Sequence, residues 1–152
     1  MRGGLETVHN PGWAPDIIHS TGWMSSLVPT FLKHVFTGEP YFEKAKVIYH
    51  VFDEGFDGEL NPRMAEKAMA QGIPAEALSG IANPTFDNLN SLAMEGADAI
   101  IVGSETLTEG TQATLATMDK PILTYRGEEG FTGEINTFYD VILEGKTEAV
   151  AE

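Results

Sequence analysis

Ala99-Ile100-Ile101-Val102-Gly103 is the stretch that decides the fold class of this 152-residue chain. It is a short run of apolar, mostly β-branched side chains, which is typical of a strand covered on both faces, as in a parallel sheet. Helical patterns flank it at residues 86–97 and 105–118. A strand between two helices is the repeating unit of parallel α/β sheets, so the sequence predicts an α/β fold.

Three further β-rich runs extend the predicted sheet to about four strands, and they lie at residues 16–19, 46–52 and 121–125. The remaining helical patterns share apolar spacings of three and four residues and lie at residues 23–36, 62–71 and 134–143. Helix caps are predicted at Asn61, at Thr85 or Asp87, and at Ser104. Pro29 predicts either a kink or a helix start near Ser25 or Ser26. We expect one domain over residues 1–143, followed by a polar tail at residues 144–152.

The charge of the chain lies in its second part. Nine basic side chains stand against 23 acidic ones, which gives a net charge of −14. Acidic and basic residues balance within residues 1–52, so residues 53–152 carry the whole excess. Such an acidic surface repels phosphate backbones and anionic headgroups, so we expect no binding to nucleic acid or to membranes.

Composition excludes several functional classes. The chain has no cysteine, which excludes disulfides, zinc–thiolate sites, iron–sulfur clusters and thiol nucleophiles. The histidines lack metal-ligand spacing, and no Gly-x-Gly-x-x-Gly or phosphate-loop motif is present, so we expect neither a metal nor a cofactor. The longest apolar stretches have four or five residues, far fewer than the roughly 20 of a membrane span. We therefore expect a soluble, cytoplasmic protein.

His19 and Trp23 follow the first predicted strand, and the ligands of parallel α/β sheets bind beyond the carboxyl ends of strands. His19 either binds a hydroxyl or phosphate oxygen of a ligand or bonds to the backbone. Trp23 either stacks on a sugar or packs between helix and sheet. The residues alone favour the second interpretation of each.

The densest acidic group follows the second predicted strand and consists of Asp53, Glu54, Asp57 and Glu59. It fails as a calcium loop because Gly55 and Met64 stand where oxygen ligands are required. A carboxylate pair for glycoside hydrolysis stays open, although a solvated acidic turn is favoured. The other polar candidates are interpreted as structural or surface residues: His9, His34 and His50, with Ser104 as a helix cap and Arg126 in an ion pair.

A family resemblance covers most of residues 5–143. Residues 15–19 (Pro-Asp-Ile-Ile-His) and 22–29 (Gly-Trp-Met-Ser-Ser-Leu-Val-Pro) resemble the "PD-V/I-V/I-H-x-H-D-W-H-x-x-L-x-P" stretch of bacterial glycogen and starch synthases. Residues 46–49 resemble the next strand of that family, and residues 96–105 resemble its "ADRVTTVSPTYAEE" strand and turn. The chain is most similar to short bacterial members labelled as starch synthase catalytic-domain proteins.

The resemblance implies a Rossmann-like sheet that forms part of the N-terminal, acceptor-side domain of a two-domain, GT-B-type glycosyltransferase. It also implies that the first βαβ portion and the donor domain lie outside this chain. His19 and Trp23 match the motif, whereas Thr21, Gly22 and Met24 stand where the family has histidine, aspartate and histidine. The family's "T-I-H-N" turn falls near residues 50–53, without the His-Asn pair in register.

For function, the resemblance implies glucosyl transfer from ADP- or UDP-glucose to an α-1,4-glucan. We expect the isolated chain to be inactive, because losing one positioned acid–base group costs ~10²–10⁴ in rate. The alternative is a non-catalytic α-glucan-binding or scaffold domain. The candidate sugar-binding residues are His19, Thr21, Trp23, Phe52 and Asp53, and no catalytic residue is assigned. We further expect an α-glucan as partner, no sugar-nucleotide binding without a second domain, and self-association through an open sheet edge.

Overall fold

The computed structural model describes Gly4, Leu5, Thr7 and residues 14–145 of the chain. Four strands lie at β1 Ile17–Thr21, β2 Lys46–Val51, β3 Ala99–Val102 and β4 Ile122–Leu123. Within residues 14–145, five α-helices lie at α1 Val28–His34, α2 Met64–Ala70, α3 Phe86–Gly96, α4 Glu109–Ala116 and α5 Phe131–Leu143. Two 3₁₀ helices lie at Trp23–Ser25 and Ala75–Ile81.

The strands form one parallel sheet in the order β1-β2-β3-β4. The α/β fold with four parallel strands flanked by helices, predicted from the apolar runs, is therefore confirmed. In the register of β1 and β2, His19 lies opposite Ile48 and Thr21 lies opposite His50. Because all strands run in the same direction, their carboxyl ends meet at one edge, which we call the carboxyl edge.

Alternating strand residues divide between the two faces of the sheet, as the pleat requires. Tyr49, Val51, Ile100 and Val102 pack with α3 and the region of α4. The intervening strand residues pack on the opposite face with Phe138 and Ile142 of α5; they are Ile48, Ala99, Ile101 and Leu123. Most of the strand side chains in these two clusters are fully buried. Helix α5 therefore covers one face of the sheet, and α3 covers the other.

Lys120, just before β4, binds the C-terminal end of α3. Lys120 Nζ donates to the carbonyl oxygens of Met94 (2.7 Å), Glu95 (3.1 Å) and Ala97 (2.6 Å), at the C-terminal end of α3. These carbonyls have no partners within the helix, and a cation there also meets the negative end of the helix dipole. Lys120 therefore acts as the C-terminal cap of α3.

Two predicted helix starts are corrected. The helix predicted from residue 23 begins at Val28, so Pro29 occupies its first turn, where the missing N–H of proline costs nothing. The helix predicted from residue 105 begins at Glu109, and Thr108 caps it by accepting from Thr111 N–H, in place of Ser104. Thr85 caps α3 as predicted.

Two smaller differences concern the element bounds. The helix predicted over residues 62–71 spans Met64–Ala70, and Asn61 caps the turn before it by accepting from the Arg63 N–H at 3.0 Å. The 3₁₀ helix Ala75–Ile81 was not predicted. The predicted tail at residues 144–152 lies outside the described residues from position 146 onward. Among the described helices, none has the length and apolar character needed to cross a lipid bilayer.

Candidate functional site

The candidate site lies at the carboxyl edge, where four connecting segments follow the four strands. The turn after β1 begins at Gly22, whose φ of 73° lies in the left-handed region that favours glycine. Its N–H donates to the carbonyl oxygen of His50 at 3.0 Å, which ties the end of β1 to β2. Glycine at the position of the family's aspartate therefore has a conformational reason.

His19 is the centre of a hydrogen-bonded chain that joins three elements. Its Nδ1 bonds to the hydroxyl of Tyr139 on α5, and its Nε2 lies 3.0 Å from Nδ1 of His50 on β2. His19 and Tyr139 are half-buried, and only 7% of the surface of His50 is exposed. Of the two predicted possibilities for His50, a structural or a surface residue, the structure supports the first, because the residue is buried and pairs with His19.

The environment keeps both imidazoles neutral at pH 7. Burial and, to a smaller extent, the neighbouring His19 together lower the pKa of His50 to about 4. Burial also lowers the pKa of His19. Burial raises the pKa of the Tyr139 phenol, so this group keeps its proton. A chain of three neutral donors and acceptors suits uncharged polar ligands better than anions.

Phe52 covers one face of the His50 imidazole. Its ring stacks on the imidazole with a centroid separation of 4.2 Å and an angle of 22°. Gly103, directly after β3, makes this arrangement sterically allowed, because a Cβ at that position would lie 2.5 Å from His50 Nε2 and overlap the Phe52 ring. A side chain at position 103 would therefore displace both rings.

Thr21 and Trp23 lie on either side of the Gly22 turn. Thr21 is exposed at the end of β1. Trp23 is half-buried and packs against a hydrophobic core cluster. Its ring contacts the Phe56 ring edge to face at a centroid separation of 4.8 Å. Met24, at the position of the family's third histidine, is 69% exposed. Thr21 therefore faces solvent at the carboxyl edge, while much of the Trp23 surface is buried against the core.

Asp53 is held in place by the segment that follows β3. Its backbone N–H donates to Ser104 Oγ at 2.9 Å, and the Thr106 hydroxyl donates to its carboxylate at 3.3 Å. Ser104 thus binds the β2 loop instead of capping a helix. Asp53 is exposed, as are Glu54, Asp57 and Glu59, so the favoured interpretation of this group as a solvated turn is confirmed.

An open cleft of about 590 Å³ lies beside Asp53. Four carboxylates line it, those of Asp53, Asp57, Glu59 and Asp87, together with the rings of Phe56 and Phe86 and no basic side chain. Asp87 accepts hydrogen bonds from the hydroxyls of Thr108 and Thr111, the latter at 3.0 Å. Within the described part of the chain, no three His, Cys, Asp or Glu residues are arranged to hold a metal ion.

The five predicted sugar-binding residues do not form one cluster. His19 and Phe52 both contact His50, and Tyr139 bonds to His19. Asp53 lines the cleft with Phe56 and Asp87, Trp23 packs on the core, and Thr21 is exposed at the end of β1. The structure adds His50 and Tyr139, which the sequence prediction did not name as sugar-binding residues. One signal for His50 was present in the sequence: it lies one residue before the end of a strand that neighbours the strand of His19. Tyr139 carries no such signal, because it is 120 residues from its partner.

The fold and the carboxyl edge define an α/β domain that presents polar side chains beyond its parallel strands. The comparisons with known proteins agree with this class. Residues 1–119 match the family model described as "Starch synthase catalytic domain". The chain therefore belongs to the starch synthase catalytic-domain family. No match was found among solved structures.

Several curated relatives are glycogen synthases. The one from Chlorobium luteolum is 32% identical over 105 residues, which cover 68% of this chain and 20% of the relative. The one from Pelodictyon phaeoclathratiforme is 31% identical over 109 residues, covering 70% and 21%. The one from Thermotoga maritima is 30% identical over 70 residues, covering 46% and 14%. The chain spans about a fifth of the length of the first two relatives.

Proposed function

We propose that this chain binds the α-glucan acceptor in a glycogen- or starch-synthase-like system, and that it does not by itself transfer glucose from ADP- or UDP-glucose. One observation carries the proposal. The carboxyl edge of the sheet presents a pair of neutral imidazoles covered by an aromatic ring, at His19, His50 and Phe52, and a positioned carboxylate at the next residue, Asp53. Membership of the starch synthase catalytic-domain family supports an α-glucan as the ligand.

The chemistry of this edge suits a neutral polyhydroxyl ligand. A carboxylate such as Asp53 accepts strong hydrogen bonds from sugar hydroxyls, since a charged acceptor roughly doubles the strength of the bond. An aromatic ring such as Phe52 offers apolar area to the C–H face of a pyranose. The exposed Thr21 hydroxyl at the end of β1 adds a group that both donates and accepts.

The same edge is poorly suited to the diphosphate of a sugar nucleotide. Segments 22–27, 52–58, 103–106 and 124–130 contain a single basic residue, Arg126. The cleft beside Asp53 is lined by four carboxylates and no cation. Transfer from a sugar nucleotide needs preorganised positive charge at the leaving phosphates, and that stabilisation is usually the largest catalytic contribution. We therefore assign acceptor binding, and not transfer, to these residues.

The binding test is affinity electrophoresis of the purified chain in gels containing glycogen, with titration calorimetry on maltopentaose. We expect the wild-type chain to be retarded. Asp53→Asn is expected to raise the dissociation constant for maltopentaose about tenfold, because one hydrogen bond to a charged group is weakened. Asp119→Asn is the matched control, since Asp119 is exposed before β4 at the opposite edge of the sheet. Unretarded migration of the wild-type chain would refute glucan binding.

The transfer test uses radiolabelled ADP-glucose and UDP-glucose with glycogen as acceptor. We expect no incorporation of label into glycogen by the 152-residue chain with either donor. Incorporation above that of a heat-denatured sample would refute the non-catalytic assignment, and the donor that supports it would identify the nucleotide. The two tests separate glucan binding from glucosyl transfer.

A further inference from the structure

The buried imidazole of His50 has one ring nitrogen, Nε2, without a hydrogen bond to the described residues. His50 is 93% buried, its Nδ1 bonds to His19, and its Nε2 has no hydrogen-bond partner among the described residues. A buried donor or acceptor without a partner costs about 1–3 kcal/mol, so native proteins seldom keep one without a reason.

The chain of hydrogen bonds determines which nitrogen of His50 carries the proton. A phenol is a stronger acid than a neutral imidazole N–H, and an imidazole nitrogen is a stronger base than a phenol oxygen. The Tyr139 hydroxyl therefore donates to His19 Nδ1, and the proton of His19 lies on Nε2. That proton is donated to His50 Nδ1, so the single proton of neutral His50 lies on its Nε2. The unpartnered atom is thus a donor.

His50 Nε2 lies close to Gly103, directly after β3, because a Cβ at position 103 would be 2.5 Å from this nitrogen. Two rings pack on the imidazole: Phe52 stacks on it at a centroid separation of 4.2 Å, and Phe131 contacts it edge to face at 6.1 Å. Phe52 is half-buried and follows directly after the last residue of β2. A rotation of its side chain would therefore change the cover of Nε2 without a change in the strand.

We propose that His50 is a ligand-binding residue: its Nε2–H donates to a hydroxyl oxygen of the bound glucan, after Phe52 turns from the imidazole onto the sugar ring. Tyr139 is a positioning residue, which holds the proton of His50 on Nε2 through His19. This inference rests on the proposed function, since it names the donor that the same site offers to the same class of ligand. It replaces the imidazole that the motif lacks at Thr21 with one from the neighbouring strand.

The direct test is nuclear magnetic resonance of the full chain labelled with ¹⁵N-histidine, without and with saturating maltopentaose. Without ligand, His50 is expected to show a protonated Nε2 and an unprotonated Nδ1. With ligand, the Nε2 resonance is expected to shift while the tautomer stays the same. A His50 with its proton on Nδ1, or an Nε2 resonance that does not move at saturation, would overturn the proposal.

Tyr139→Phe tests the positioning role, with Tyr125→Phe as the matched control. Both variants lose one hydroxyl near α5, and Tyr125 contacts Phe131 through its ring, which the control keeps. Tyr139→Phe is expected to give His50 a mixture of tautomers and to weaken maltopentaose binding about fivefold. The control is expected to change neither. A wild-type tautomer in Tyr139→Phe would refute the positioning role, even if the variant is less stable.

The outcomes distinguish this inference from the function on which it rests. If maltopentaose shifts the Asp53 amide but leaves His50 unchanged, glucan binding stands and the role of His50 is refuted. If maltopentaose shifts neither, the proposed function fails first. If both move and Tyr139→Phe alters the tautomer, both proposals are supported.

Discussion

Acidification should weaken the fold through His50, and the size of the effect follows from its environment. Burial and the neighbouring His19 lower the pKa of His50 from 6.5 to about 4 in the folded chain. Between these two pH values the unfolded chain binds a proton that the folded chain does not. The free energy of unfolding therefore falls as the pH falls through this window. The stabilisation is fully present above about pH 6.5 and is lost as the pH approaches about 4.

The difference between the two pKa values corresponds to about 3 kcal/mol over the whole window. This is a large share of the 5–15 kcal/mol typical of a domain. Burial lowers the pKa of His19 as well, so its contribution has the same sign. Protonation of His50 at Nδ1 also removes the acceptor of the His19 Nε2–H, so the hydrogen bond between β1 and β2 is lost.

The assay is urea unfolding followed by tryptophan fluorescence at a series of pH values from about 7.5 to about 4.5. The variant is His50→Gln, which keeps a polar side chain and removes the titrating group. We expect the wild-type chain to lose stability by up to about 1.4 kcal/mol per pH unit through His50, and the variant to lack this part of the slope. His34→Gln controls for the loss of an imidazole elsewhere. A wild-type slope in His50→Gln would refute the reasoning.

Three further predictions concern stability and association. Lys120→Met removes the cap of α3 and is expected to lower the free energy of unfolding by about 2 kcal/mol. The exposed Lys67→Met should cost less than about 0.5 kcal/mol, and equal losses in urea titrations would contradict the capping role. Gly103→Ala is expected to cost about 1–3 kcal/mol in thermal melts because its Cβ would lie 2.5 Å from His50 Nε2; an unchanged melting temperature would contradict this. β1 is an edge strand of the described sheet, so sedimentation velocity should show self-association as concentration rises, and a monomer throughout would oppose it.

The fold was predictable because its signal is local. Ile100, Ile101 and Val102 form a short β-branched run that is typical of a strand covered on both faces, and α3 and α5 do cover those faces. Helix boundaries were less predictable, because a cap depends on which polar side chain finds a free N–H. Ser104 and Thr108 are equally good caps by residue type, and Ser104 is instead used by the backbone of Asp53.

The candidate site was predictable only in part, because its residues are joined by tertiary contacts. His19 was found from its place after an apolar run. His50 was not, because its one signal, a position near the end of a strand, points to a site only once the register of β1 and β2 brings the two imidazoles to one face. Tyr139 lies beyond residue 119, where the match to the family model ends. No motif of that model predicts its bond to His19, which depends on how α5 packs on the sheet.

The charge distribution and the cleft beside Asp53 together favour an uncharged ligand over an anionic one. Residues 53–152 carry the entire net charge of −14, and four of their carboxylates line the cleft at the carboxyl edge. A diphosphate in this cleft would meet like charges at short range, each costing on the order of 1 kcal/mol or more near a protein surface. A glucan carries no charge and meets none of this repulsion, while its hydroxyls gain acceptors in the same carboxylates. The acidity that disfavours a sugar nucleotide at this edge is therefore the property that favours a neutral sugar there.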